Sequence, residues 1–267
     1  DKAETELLKV TGYSLFDDYA ALFDPANKNN QESIFEVQYT NGGTGALSSS
    51  FAYNFLPRLA NPKAALPGIM PGEDANNTGG FNTPTPDIIE AYEDGDKRKE
   101  ASIGFIDGLP YIKKYVHAHS KAGQQDDNFP IYRYAETLLL LAEAQNEQNK
   151  PEALTTLNLV HAHPRTGLTP LVLTGQGAIG EAIAKERQVE LAFENKRWLD
   201  LVRTGKAIEV MTAQFNKIKA NQTAYYYPAN ITLQPNAYTI TVDDLLLPIP
   251  NREIDIYPEM GDQNSAY

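Results

Sequence analysis

The stretch Glu186–Lys206, ERQVELAFENKRWLDLVRTGK, sets the hardest condition on the fold. On a helix turning by ~100° per residue, Ile179, Ile183, Phe193 and Leu201 share one face, and Glu186, Glu190 and Arg197 project from that same face. Lys185, Gln188, Asn195, Lys196 and Arg203 take the opposite side, as solvent-facing residues do. A single helix over residues 178–204 would therefore bury charge, with Gly205 well suited to cap its C-terminus. Unpaired buried charge is costly, so the pattern calls for partners of opposite sign: Arg197 with Arg187, or an arginine from another helix such as Arg133. A second reading makes Glu186 and Glu190, one turn apart, the acid and base of a carbohydrate hydrolase. Two carboxylates on one helix cannot flank a scissile bond from both sides. The structural reading is preferred, with Glu190→Ala expected to cost stability and leave ligand preference intact.

Such a helix needs a layer of neighbours. YRYAETLLLLAEAQNEQNK, from Tyr132, is apolar around most of its circumference except for a stripe of Glu136, Glu143 and Glu147. A turn at Asn149–Pro151 leads into PEALTTLNLVH, where Pro151 suits a first helical position. Together they predict an antiparallel, tetratricopeptide-like hairpin, which cannot stack alone. A shorter helix is expected over 206–220, and residues 2–23 carry helical spacings interrupted at Gly12.

Between these helical stretches, only ESIFEVQYT, 32–40, alternates as a strand does. From Asn41 to Asn128 turn chemistry dominates (NGGTG, PGEDANNTGG, NTPTPD), yet Phe51, Tyr53, Phe55, Phe81 and Tyr92 are set among it. Loops this long in a compact protein are usually functional or disordered. So many rings argue for order, either as a small core under the loops or as a platform for sugar rings.

The remaining signals mostly exclude. A formal charge of −12 without a basic stripe repels phosphate backbones, so no nucleic-acid partner is expected. With no cysteine there is no disulfide, thiol nucleophile or thiolate metal site. The four histidines form two His-Ala-His pairs, His117 with His119 and His161 with His163. Zinc wants three or four ligands and neither pair has an adjacent acid, so both read as turn or surface histidines and no metal or cofactor is expected. Serine elbows, phosphate loops and dinucleotide fingerprints are missing. No apolar run reaches the ~20 residues of a membrane span. NNT at Asn76, NQT at Asn221 and NIT at Asn230 fit glycosylation acceptors, a pattern frequent by chance.

Four ordered stretches carry a resemblance: ESIFEVQYT (32–40), RYAETLLLLAEAQNE (133–147), ERQVELAFENKRWLDLVRTGK (186–206) and LLPIPNREIDIYPEMGDQNSAY (246–267). They resemble the signature stretches of the SusD/RagB family, the terminal one most specifically. The resemblance implies a mainly α fold, with tetratricopeptide-like helix hairpins packed against a loop-rich lobe that contains a little β. It also implies a lipoprotein on the outer-membrane surface of Bacteroidota. Such a protein binds oligosaccharide or polysaccharide, or peptide in some branches, as the lid of a SusC-like TonB-dependent transporter, and is not an enzyme. Members are commonly longer, with a lipidated cysteine at the start, so this chain reads as a C-terminal half whose lipid anchor belongs to a missing N-terminal part. The expected division is 1–30 as the end of a helical hairpin, 31–128 as a strand and loop-rich binding lobe, 129–220 as a helical layer and 221–267 as a Tyr/Pro-rich tail. One departure stands out in LNLVHAHPRTGL, 157–168, where His161 takes the place of a family arginine and Pro164 disturbs the spacing. Loop position and chemistry, rather than a matched motif, select Phe51, Tyr53, Asn54, Arg58, Asn77 and Phe81 as ligand-binding candidates. Glu186, Glu190, Arg197 and Arg133 are expected to form the structural ion network.

Overall fold

The computed structural model describes residues 2–42, 47–58, 66, 68 and 78–264. They fall into two compact units, 1–194 and 195–267. The division cuts through the stretch read above as one helical layer.

The first unit opens with α1 (Lys2–Leu7), which stops well short of residue 23. The positive φ of Gly12 breaks the helical path, after which Leu15 enters the core and Tyr13 stacks on Tyr134 at 6.3 Å between centroids. Two 3-10 turns, Ala21–Phe23 and Pro25–Asn27, lead to β1 (Ser33–Val37). The stretch from 41 to 128 holds more regular structure than its turn-rich sequence announces: α2 (Phe51–Phe55), α3 (Pro86–Ala91), α4 (Lys97–Ser102), β2 (Ile103–Ile106) and β3 (Leu109–Ile112). Two local signals explain part of this. The Asp96 carboxylate accepts the Arg98 backbone N–H at 2.9 Å and so caps α4. Asp107-Gly108, both left-handed, closes the tight β2–β3 hairpin as that dipeptide favours.

β4 (Phe129–Arg133) pairs antiparallel with β1 and runs directly into α5 (Tyr134–Glu147). The left-handed Asn149 ends α5 and turns the chain into α6 (Glu152–His161), with Pro151 immediately before the first helical residue. α7 (Gln176–Glu190) completes the layer. Leu15, Ala135, Leu138, Leu139, Ala142, Leu157, Val160 and Ile183 form its apolar core, to which α5, α6 and α7 all contribute.

α7 does not continue to residue 204. It ends at Glu190, and a turn containing left-handed Phe193 and Asn195 separates it from α8 (Arg197–Arg203) in the second unit. Within that unit, Gly205 sits at φ +70° just beyond α8, and the Lys206 N–H reaches back to the Leu201 carbonyl at 2.8 Å. α9 (Ala207–Ala220) and a short α10 (Asn251–Ile256) follow, with 3-10 turns at Gln222–Tyr225, Val242–Leu245 and Pro258–Met260. The Gln263 side-chain amide closes the stretch before α10 by bonding both the N–H and the carbonyl of Ile249, each at 2.7 Å.

Beneath the first unit's helical layer lies a buried set of charges. Glu190, fully buried, accepts from Arg165 Nη2 at 2.7 Å, Arg133 Nη1 at 3.0 Å and Arg98 Nη1 at 2.9 Å. Arg98 also donates to Glu186 and grips Asp96 through Nε and Nη2, the latter at 2.8 Å. Arg133 forks onto both oxygens of Glu194 at 2.7 and 2.8 Å and reaches Glu32, which Arg165 shares. Lys114 Nζ donates to Glu194 Oε1 and the Ala192 carbonyl, both at 2.8 Å, and to the Tyr19 hydroxyl at 2.9 Å. His161 donates Nδ1–H to Glu186 at 2.9 Å.

The expected quartet of Glu186, Glu190, Arg197 and Arg133 is therefore redistributed. Arg133 meets Glu190 directly, but Arg197 stands on α8, past the turn, so the continuous wheel that put it on the glutamate face does not apply. Arg98 and Arg165, which helical spacing could not nominate, supply the other two cations. Burial pushes the Glu190 carboxyl up, yet Arg165, Arg133 and Arg98 outweigh burial and hold it far below the usual carboxylate range.

Candidate functional site

The six candidate residues separate into three groups. Phe51 and Tyr53, on α2, point into the protein. Phe51 lies edge-on to Tyr115 and Phe129 at centroid distances of 5.2 and 5.5 Å, and Tyr53 packs with Leu56 and Leu66. The Tyr53 hydroxyl meets His119 Nε2 at 2.6 Å. The chemistry that recommended these two rings also suits a satellite core, and that is where α2's inward face carries them. Asn77 lies outside the described residues.

Asn54, Arg58 and Phe81 come together at the surface. The stretches Tyr53–Arg58 and Thr78–Phe81 are tied side by side. The Gly79 N–H donates to the Tyr53 carbonyl at 3.0 Å, that of Gly80 to Leu56 at 2.9 Å and that of Phe81 to Asn54 at 2.8 Å. The Thr78 hydroxyl donates to the Pro57 carbonyl at 2.8 Å, and Arg58 Nε donates to the Gly79 carbonyl at 3.1 Å. The resulting neck is tight. A Cβ on Gly79 would stand 2.8 Å from the Asn54 oxygen and 2.6 Å from Phe81 Cδ2, so only glycine lets the strands and ring approach this closely.

On this pinned backbone Phe81 is 58% exposed, and Asn54 and Arg58 are exposed beside it. Arg58 commits Nε to the neck, which orients the guanidinium, and its two Nη groups are further potential donors. One open ring, a held guanidinium fork and an amide with donor and acceptor form a surface suited to the C–H face and hydroxyls of a sugar. A separate cleft of about 220 Å³, lined by Asp17, Asp18, Tyr19, Lys97 and Arg165, offers no such face. Its ring, Tyr19, is buried and donates its hydroxyl to the Glu190 carbonyl at 2.6 Å.

The histidine pairs are occupied structurally. His117 Nδ1 is bonded to Asp127, His119 is buried under α2, and His161 belongs to the ion network. Among the described residues, no group of three or more metal-ligating side chains is assembled, and no helix is long and apolar enough to cross a membrane.

A family model described as the SusD family matches residues 99–267. The chain belongs to the SusD family. Among curated relatives, SusD-like protein P25 of Formosa agariphila is 27% identical over 98% of this chain and 53% of its own length. A SusD superfamily protein from Parabacteroides distasonis, 26% identical with a TM-score of 0.72, covers 100% of this chain, which spans 56% of that one. Surface glycan-binding protein A from Bacteroides thetaiotaomicron, solved in complex with laminarihexaose, is 26% identical with a TM-score of 0.64 over 100% of this chain and 58% of its own. The chain thus spans about half the length of the relatives it matches. The mainly helical architecture is that of SusD superfamily structures.

Among the residues that spacing missed are the guanidinium partners Arg98 and Arg165, together with Asp96, Glu32, Lys114, His161 and Glu194. Arg165 had a signal, since it stands in the 157–168 run where the family resemblance places arginines. There His161, in place of one arginine, still reaches Glu186, and Arg98 supplies the guanidinium.

Proposed function

We propose that this SusD-family chain binds an oligosaccharide on the surface made by Phe81, Arg58 and Asn54 without altering it chemically. It does so at the outer-membrane surface, and the full-length protein hands the glycan to a SusC-like TonB-dependent transporter. The observation that carries the binding reading is an exposed ring on a hydrogen-bonded backbone: Phe81, 58% exposed, follows Gly79, whose carbonyl holds the Arg58 guanidinium through Nε. The laminarihexaose complex of the Bacteroides thetaiotaomicron relative supports the ligand class. The transporter and the lipid anchor rest on the family resemblance.

The burial of Glu186 and Glu190 supports binding over hydrolysis by this pair. Glu186 and Glu190 are buried against Arg98, Arg133 and Arg165, so neither carboxyl is available to protonate a leaving group.

Calorimetric titration with a panel including laminarihexaose tests the site. The Phe81→Ala/Arg58→Ala chain is expected to lose about tenfold or more in affinity, with the recovered oligosaccharide intact. Unchanged affinity for every glycan the parent retains, or cleavage of the ligand, would overturn the reading.

A further inference from the structure

His119 is bonded at both ring nitrogens. Nδ1 lies 2.8 Å from the His117 carbonyl, which can only accept, so Nδ1 carries a proton. Nε2 lies 2.6 Å from the Tyr53 hydroxyl and, in the neutral ring, accepts from it. The ring is 8% exposed, and neither of its bonds goes to a carboxylate. Asp127 is engaged by His117.

Tyr53 stands directly under the neck. Its carbonyl takes the Gly79 N–H, and the next residue's carbonyl takes the Phe81 N–H. The backbone of His119 also lies close to Gly68, where a Cβ would stand 3.0 Å from the His119 carbonyl oxygen and 3.1 Å from its amide nitrogen.

We propose that His119, acting through Tyr53, is a positioning residue for the glycan platform, and that its ring, by holding the Tyr53 hydroxyl, fixes the α2 carbonyls from which Gly79–Phe81 hang. This inference rests on the reading of the neck as a glycan site, but its mechanical half can be read without any sugar.

The test combines amide hydrogen exchange with laminarihexaose titration on the whole chain, for the parent, Tyr53→Phe, His119→Leu and His119→Gln. Tyr53→Phe and His119→Leu are expected to speed exchange at Gly79, Gly80 and Phe81 by about tenfold and weaken binding by a similar factor, leaving amides within α5 unchanged. His119→Gln keeps an acceptor for the Tyr53 hydroxyl without a titrating ring. It should restore both the slow exchange of the neck amides and the parent's affinity. Neck amides unmoved in Tyr53→Phe and His119→Leu, or exchange raised equally throughout α5, would overturn the proposal. So would a His119→Gln chain that behaves as His119→Leu does. If the parent binds no glycan, the functional reading fails by itself, and the exchange measurement still decides whether His119 positions the neck.

Discussion

The buried ion network and the surface neck solve opposite problems with the same kinds of residue. In the network, Arg98, Arg133 and Arg165 turn their guanidinium groups onto Asp96, Glu32, Glu186, Glu190 and Glu194. In the neck, backbone hydrogen bonds join Tyr53–Leu56 to Gly79–Phe81 and Arg58 Nε donates to the Gly79 carbonyl, while Phe81, Asn54 and Arg58 are exposed. The first region turns its charges on one another, and the second is tied mainly through its backbone, as the proposed binding of a ligand by its side chains requires. Damage to the first region should therefore appear as lost stability, and damage to the second as lost affinity.

The largest expected effect is in the network. Glu190→Ala leaves three guanidinium groups short of an acceptor and should cost about 3–5 kcal/mol in denaturant unfolding, with the ranking of glycans unchanged in the folded fraction. A folded variant with altered glycan preference would break the separation between the regions.

Acid should follow the same route. Burial raises the carboxyls of Glu186, Glu190 and Glu194, but their cationic partners outweigh burial and bring all three below 4.5. Below that value the unfolded chain takes up protons that the folded chain refuses. The stability they contribute is complete above it and is lost as the pH falls. Unfolding midpoints measured from pH 7 downward should drop steeply once the pH passes below 4.5, and a flat profile there would contradict the network's charge state.

At the neck, Gly79→Ala should act on affinity more than on stability. The added methyl meets the Asn54 backbone and the Phe81 ring, so an affinity loss of about tenfold is expected for an unfolding cost of about 1–2 kcal/mol. Unaltered glycan binding would show that the Phe81 ring is not held by this contact.

Lys114 gives the smallest effect. Burial depresses its ammonium to about 8 despite Glu194, so above that pH the folded chain sheds a proton that the unfolded chain keeps to 10.5. Stability should gain from this group as the pH rises from about 8. Lys114→Met should remove that gain and cost only about 1 kcal/mol at neutral pH, because Glu194 retains both Arg133 bonds. A larger loss would place Lys114 among the indispensable cations.

The sequence made the α5–α6 hairpin, α9 and β1 legible because each has its own period and its own stop: Asn149 after α5, Asn221 after α9, alternation through Ser33–Val37. The end of α7 was not legible, because Leu191, Phe193 and Leu201 keep helical spacing past it. Distant side chains claim the backbone there. Tyr19 and Arg133 take the Glu190 carbonyl, Lys114 takes that of Ala192 and Tyr115 that of Phe193, so the turn is set by residues far away in the chain. The site was half legible for a related reason. Chemistry and loop position selected Asn54, Arg58 and Phe81, which are exposed, but nothing local told Phe51 and Tyr53 that Tyr115, Phe129 and His119 would cover them.

The central claim is that the glycan contacts the neck and leaves the ion network untouched. Chemical-shift mapping of the ¹⁵N-labelled chain during titration with laminarihexaose, or with the best ligand in the panel, tests it most directly. The account predicts shifts concentrated at Asn54, Arg58 and Gly79–Phe81, with the amides of Glu186, Glu190 and Arg133 still. Shifts centred on the network or on the second unit, with the neck silent, would contradict it.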